Sequence, residues 1–203
     1  AEADNRRAVV KVAGYASEDA QGRPVDPFVY HPNEDNGLSD PDDPQSYTYT
    51  VPYGVTLMGG YKETASHWHE TSAPGCRDIR NYPTLLSPVV TLSDGQTVNG
   101  YHAVTFGGQP DGYANSYGTT TLDGVTLMEG QATASAAAGD GNDKGGGAVV
   151  PAWGHVRNCI VRDNTATSGG GLYLLAGATV SGTLVKDNRA DYGAGIYSAN
   201  EHE

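Results

Sequence analysis

Few residues in this chain stand in patterns that chemistry requires. His67 and His69 flank Trp68 and precede Glu70. Two histidines spaced i, i+2 face one side of a strand, where they can share a metal. A structural zinc site takes four ligands and a catalytic one three plus water. Nothing else completes that set at a recognisable spacing, and the competing reading is a solvated loop with Trp68 turned inward. Asp35, Asp40, Asp42 and Asp43, with Asn33 and Asn36 nearby, offer the oxygen ligands that Ca²⁺ accepts. The run does not follow the EF-hand order of acidic residues and glycine, so a Ca²⁺ site and a solvated acidic loop stand as alternatives. No other cofactor is implied. Cys76 and Cys159 can form one disulfide in an oxidising compartment.

Arg157, Arg162 and Lys186 raise a second kind of chemistry. A polysaccharide lyase needs a base to take a proton beside a uronate, and Ca²⁺ or arginine to neutralise the carboxylate. A hydrolase needs two carboxylates about 5 to 9 Å apart across a groove. Arg162 and Lys186 each precede an aspartate, Asp163 and Asp187, which is how surface charge on a repeat protein is ordinarily paired. No motif selects two carboxylates. The chain therefore reads as a binding module rather than a catalyst. Its best recognition residues are Tyr173 and Tyr197, which recur one period apart and can present rings to sugar faces. Ile160 and Leu184 form a second outward column, an apolar patch suited to contact. Trp153, in the turn Pro151-Ala152-Trp153-Gly154, can extend either column, and loops that cover both columns are the alternative reading.

The elements that position these residues are repeats. Gly145-Gly146-Gly147-Ala148-Val149 returns as Gly169-Gly170-Gly171-Leu172-Tyr173 and again as Gly193-Ala194-Gly195-Ile196-Tyr197, a period of 24 residues. Such self-similarity means stacked units that bury their apolar faces against each other. Glycine triplets, β-branched runs and Asp-Asn pairs disfavour helix, and no leucine-rich scaffold is present. Short strands with glycine and asparagine turns remain. Alternation places Val156, Cys159 and Val161 inward, with Arg157, Ile160 and Arg162 outward and Asn158 near a bend. Val180, Thr183 and Val185 repeat the inward set, and Ser181, Leu184 and Lys186 the outward one. Leu122 to Gly130 fits the same template at an offset of 34 residues, the excess lying in a protruding loop, Ser135 to Lys144. In a parallel stack Asn164 lies beneath Asn188, so the Asp-Asn pairs form an amide ladder or simply mark turns. Upstream, Val9 to Val12 opens the first coil, and Tyr47–Val51 and Gly54–Tyr61 are successive strands. Asp19 to Gln45 and His67 to Asn81 read as surface loops. The expected fold is all-β, a right-handed single-stranded parallel β-helix. It forms one domain over 1–203, irregular to about residue 87 and more regular over 88–203.

Gly54-Val55-Thr56-Leu57-Met58-Gly59-Gly60-Tyr61, followed by Arg77-Asp78 and Tyr82-Pro83-Thr84-Leu85-Leu86-Ser87, resembles the opening of secreted bacterial right-handed parallel β-helix proteins. The Gly-Gly-Gly-Leu-Tyr and Asp-Asn-x-Ala elements are similar to the GGAI and FxxN repeats of chlamydial polymorphic membrane proteins. The resemblance runs from about Val9 onward and implies a surface β-helix, secreted or held at the cell surface. Members of that family usually stack many more coils than this chain contains.

Composition narrows the partners. The formal charge of −12 over 203 residues disfavours nucleic acid and anionic membranes, which need basic patches. No segment reaches the about 20 apolar residues of a membrane span. The chain opens Ala1-Glu2-Ala3-Asp4 without methionine, as a mature secreted protein does and as a truncated one does too. A third glycine turn opens a coil that Glu203 interrupts, so a further stretch of chain, a partner or a second copy is expected over Tyr197–Glu203. The function expected is adhesin-like recognition of glycans or of a surface protein. A carbohydrate-active enzyme and a structural subunit of a surface assembly are the alternatives.

Overall fold

The computed structural model describes residues 8–21, 24–27, 29–32, 43–62, 77–109, 118–134 and 141–199. Within them the protein is all-β, with one short 3₁₀ turn at Pro44–Ser46 and mainly parallel ladders. Each circuit returns to three faces in the same order, and the last three circuits add a strand to another. The first circuit holds β1 (Ala8–Ala13), the antiparallel pair β2 (Tyr15–Glu18) and β3 (Pro24–Pro27), β4 (Val29–Tyr30) and β5 (Tyr49–Val51). The second holds β6 (Val55–Tyr61), β7 (Thr84–Leu86), the hairpin β8 (Val89–Thr91) and β9 (Thr97–Asn99), and β10 (Val104–Phe106). The third runs β11 (Thr120–Asp123), β12 (Val125–Met128), β13 (Gln131–Ala132), β14 (Ala148–Val150). The fourth is β15 (Gly154–Arg157), β16 (Ile160–Arg162), β17 (Thr165–Ser168), β18 (Leu172–Leu174). The fifth is β19 (Thr179–Ser181), β20 (Leu184–Lys186), β21 (Arg189–Tyr192), β22 (Ile196–Ser198).

Four faces result. The first is the sheet β1-β6-β11-β15-β19, and the second is β4-β7-β12-β16-β20. The third is β13-β17-β21. The fourth joins β14-β18-β22 to β10 and β5, because the amides of Ala103 and Val104 donate to the carbonyls of Gly146 and Gly147. Register follows the repeat: Leu122 aligns with Val156 and Val180, and Leu127 with Val161 and Val185. The predicted offsets of 34 and 24 residues are both realised. Leu122, Leu127, Val161 and Leu172 are fully buried and, with Val125, Val150 and Val156, form a continuous core between the faces.

Each of the last three circuits turns on three left-handed residues. One corner uses Gly124, Asn158 and Gly182, and the next uses Glu129, Asp163 and Asp187. A third uses Gly145, Gly169 and Gly193. A positive φ costs most side chains about 1–2 kcal/mol, and Asn and Asp bear it best. The Asp-Asn pairs therefore do two jobs at once. Asp163 and Asp187 make the corner, and Asn164 and Asn188 form the ladder. Asn164 Oδ1 accepts from Gly130 N (3.0 Å) in the circuit before. Its Nδ2 reaches Leu127 O, Arg162 O and Asn188 Oδ1 at 2.9–3.1 Å, and Asn188 Oδ1 also accepts from Asn164 N. Gly147 is needed for close approach: a Cβ there meets the Gly171 carbonyl oxygen at 2.5 Å.

One expectation upstream is corrected. The stretch from Asp19 to Gln45 is not wholly a surface loop, because Val29 and Tyr30 pair with Leu85 and Leu86 and extend the second sheet. The β8–β9 hairpin was unanticipated, although Asp94-Gly95 in its loop is a standard hairpin signal.

Candidate binding surfaces

On the fourth face, strand alternation turns Leu172 inward and Tyr173 outward. The ladder places Tyr173 beside Val149 on one side and Tyr197 on the other. The two rings lie parallel, 5.2 Å apart with planes at 15°. Lys144, from the circuit before, sets its ammonium 5.4 Å from the Tyr173 ring centre. Tyr173 is half-buried and Tyr197 is 37% exposed. The predicted tyrosine column is thus a stacked pair, with Tyr173 already engaged by neighbours and Tyr197 the more open ring.

Trp153 does not extend this column. It sits in the turn between β14 and β15, edge-on to Tyr53 at 6.1 Å and 71°, and its buried indole nitrogen has no hydrogen-bond partner. The turns that follow β5 and β14 lie against each other there, so the ring fills a corner. The other outward column is present: Ile160 is half-buried and Leu184 is 52% exposed. With Ile79, Pro83 and Thr126 they line a groove of about 490 Å³, at whose rim Arg80 stands exposed.

The corner between the first two faces carries a cluster of charges. Asp123 ends β11 and is buried at 2% exposure. Its carboxylate accepts from Arg77 at 2.7 Å, from Arg157 Nε at 2.8 Å and from Asn158 Nδ2 at 3.0 Å. Arg77 also donates to the carbonyls of Gly59 and Asp123, so it clamps the second circuit to the third. Burial alone pushes the Asp123 carboxyl up, but the hydrogen bonds from Arg77 and Asn158 outweigh it and hold it below the usual carboxylate range. Beside this cluster, outward residues of β11, β15 and β19 shape a shallow cleft of about 290 Å³. Thr121, His155 and Thr179 form one column of it, and Arg157 and Ser181 the next. His155 Nδ1 and Thr179 Oγ1 are hydrogen-bonded at 2.6 Å.

The remaining candidates separate. Asp43 caps the 3₁₀ turn, its Oδ1 accepting from Gln45 N at 3.0 Å. Asp35, Asp40 and Asp42 lie outside the described residues, as do His67, His69 and Glu70. No group of three or more metal-ligating side chains occurs among the described residues. Cys159 is a free, buried thiol that donates to Arg157 O at 3.1 Å, and burial pushes it up to about 11. Its expected partner Cys76 lies outside the described residues. Arg162 and Lys186 pair with Asp163 and Asp187 as their spacing predicts. Sequence reasoning missed Asp123 and Arg77, which are 46 positions apart. It also left His155 unremarked, although its place two residues before Arg157 on one strand face was visible. No helix among the described residues is long and apolar enough to cross a membrane. Comparison with protein-family models, with curated proteins and with solved structures finds no match.

Proposed function

We propose that the chain is a right-handed parallel β-helix, secreted or displayed at a cell surface, that recognises glycans or a surface protein without catalysing a reaction on them. Parallel strands joined by crossovers are almost always right-handed, which supports the hand of the winding. The resemblance to bacterial surface repeats supports the location. The observation that carries the recognition reading is the Tyr173–Tyr197 pair. Neither tyrosine makes a side-chain hydrogen bond among the described residues, and both stand on consecutive strands of a stiff stack. A polyhydroxylated ligand can lie along the outer edges of the two stacked rings and hydrogen-bond to their hydroxyls.

The test is binding and turnover together, with the purified chain against neutral and acidic polysaccharides, with Ca²⁺ and with chelator. Retention without cleavage, weakened by Tyr173→Ala with Tyr197→Ala, is the expected result. Depolymerisation overturns the non-catalytic reading. Silence across the panel removes the glycan reading and leaves a surface protein as the ligand to seek.

A further inference from the structure

The polar cleft on the first face holds a charge arrangement that structural needs do not use up. Asp123 is one carboxylate between two guanidiniums, Arg77 and Arg157, so the cluster keeps one positive charge in a chain whose formal charge is −12. Arg77 spends its contacts on the Gly59 and Asp123 carbonyls and on the carboxylate. Arg157 is held by its Nε alone. Its side chain is 50% exposed, and its two terminal nitrogens have no partner among the described residues. Bound at the root and free at the tip, this guanidinium has its direction set in advance, which lowers the entropy lost when a ligand arrives.

The surroundings match a particular chemistry. Ser181 stands beside Arg157 on the next strand, and Thr121, His155 and Thr179 form the adjoining column. The Ser181 hydroxyl has no partner among the described residues. Among the described residues, Arg157 is the only charged one lining the cleft. A carboxylate, or two oxygens of a tetrahedral oxyanion, fits a guanidinium fork through two parallel hydrogen bonds, and neighbouring hydroxyls suit a ligand that is itself rich in hydroxyls.

We propose that this cleft binds an oxyanion, a carboxylate or a sulfate ester, carried on a saccharide, with Arg157 as the principal contact and Ser181 and the His155–Thr179 pair as its polar flank. This names acidic sugars as the ligand class, and it rests on the reading of the chain as a glycan-recognition module. The site is separate from the tyrosine pair.

The experiment titrates the whole chain calorimetrically with three probes: a galacturonate oligomer, a sulfated oligosaccharide, and a neutral oligomer of the same length. The expected result is binding of at least one acidic probe that weakens as NaCl rises. Arg157→Gln is expected to cost that probe about 10- to 100-fold in affinity, the range for a hydrogen bond to a charged group. Arg157→Lys, which keeps the charge and loses the fork, falls between. A carboxylate source is separated from a sulfate source by which acidic probe responds.

Arg157 also supports Asp123, so a folding defect must be told apart from a lost contact. Ser181→Ala disturbs no side-chain hydrogen bond among the described residues and should weaken the acidic probe without loss of stability, and in the wild-type chain acidic probes should shift the backbone amide resonances of Thr179, Val180 and Ser181. Unchanged affinity in Arg157→Gln, or shifts confined to Tyr173 and Tyr197, overturns the proposal while leaving the glycan reading standing. Loss on Arg157→Gln with no effect of the tyrosine substitutions does the reverse to the tyrosine site. Failure of every acidic probe to bind the wild-type chain overturns it outright.

Discussion

The first two circuits and the last three solve the same problem by different means. In circuits three to five, corners sit at equivalent positions and an internal amide ladder ties each turn to the next, and apart from the stretch between β13 and β14 the strands follow each other within a few residues. In circuits one and two, long excursions separate the strands, and single side chains do the tying. Arg77 reaches from a loop to Gly59 and Asp123, Tyr30 donates its hydroxyl to Ala13 O, and Thr84 bonds Gly60 N and the carbonyls of Val12 and Ala13. The contrast teaches where a stack of parallel strands tolerates insertion. Where neighbours repeat, each bond is one of a series. Where they do not, a few long-range contacts carry the stacking, and both candidate sites lie on the regular side.

The largest effect is expected at the ladder. Asn164 is 1% exposed, and Asn164→Ala strands Gly130 N and removes an acceptor-donor link to Asn188. A buried group left unpaired costs about 1–3 kcal/mol, and several are affected, so a loss of about 3–4 kcal/mol is expected. Asn188→Ala has half-buried surroundings and fewer bonds and should cost about half as much. Urea unfolding of both variants checks the ranking. Equal losses would mean that the ladder has no interior and end, and the regular region would then stand by strand pairing alone.

Next comes Asp123, where the two regions meet. Asp123→Asn keeps the shape and removes the charge facing Arg77 and Arg157. Breaking a buried pair costs about 3–5 kcal/mol. Both arginines are partly exposed, at 27% and 50%, so solvent screening brings the expected loss to about 2 kcal/mol. The pH dependence has a definite sign. The folded chain holds the carboxyl below its ordinary value, so the unfolded chain takes up the proton first as pH falls. The stabilisation is complete above the ordinary carboxylate value of about 4 and is lost as pH falls from there through the folded value. Asp78 is also lowered, by backbone hydrogen bonds from Asn81 and Arg80, but it stays in both proteins. The wild-type minus variant difference in urea midpoint therefore shrinks as pH falls below about 4. A difference that stays constant to pH 2 would show that the clamp acts through shape rather than charge.

The same division governs what the sequence disclosed. The period from Gly145, the inward set Val156, Cys159 and Val161, the 34-residue offset and the Asn164–Asn188 contact were all legible, because a repeat makes one circuit the template for the next. Asn158 was legible as a bend because Gly124 and Gly182 occupy its place elsewhere. Arg77 and Asp123 were not, since their meeting depends on how an irregular loop folds back, which no period encodes. Trp153 was read as a surface ring because its turn looks open in sequence; only the neighbouring Tyr53 turn closes it. Asp43 was read among ligands on composition, whereas Asp-Pro before a 3₁₀ turn is also a capping signal.

The smallest expected effect concerns the tyrosine pair, and its smallness is what makes it informative. Aromatic pairs contribute about 0.5–1.5 kcal/mol beyond the area they bury. Tyr173 touches both Tyr197 and Lys144, while among the described residues the ring partner of Tyr197 is Tyr173. Tyr173→Ala should therefore cost about 1 kcal/mol and Tyr197→Ala less, with a coupling in the double variant near the lower end of that range. Such losses leave the fold intact, so weaker polysaccharide retention by the double variant reports lost contact rather than unfolding. A loss of several kcal/mol from Tyr197→Ala would reverse that logic: the pair would then be part of the scaffold, like the amide ladder, and recognition would have to be sought at Arg157.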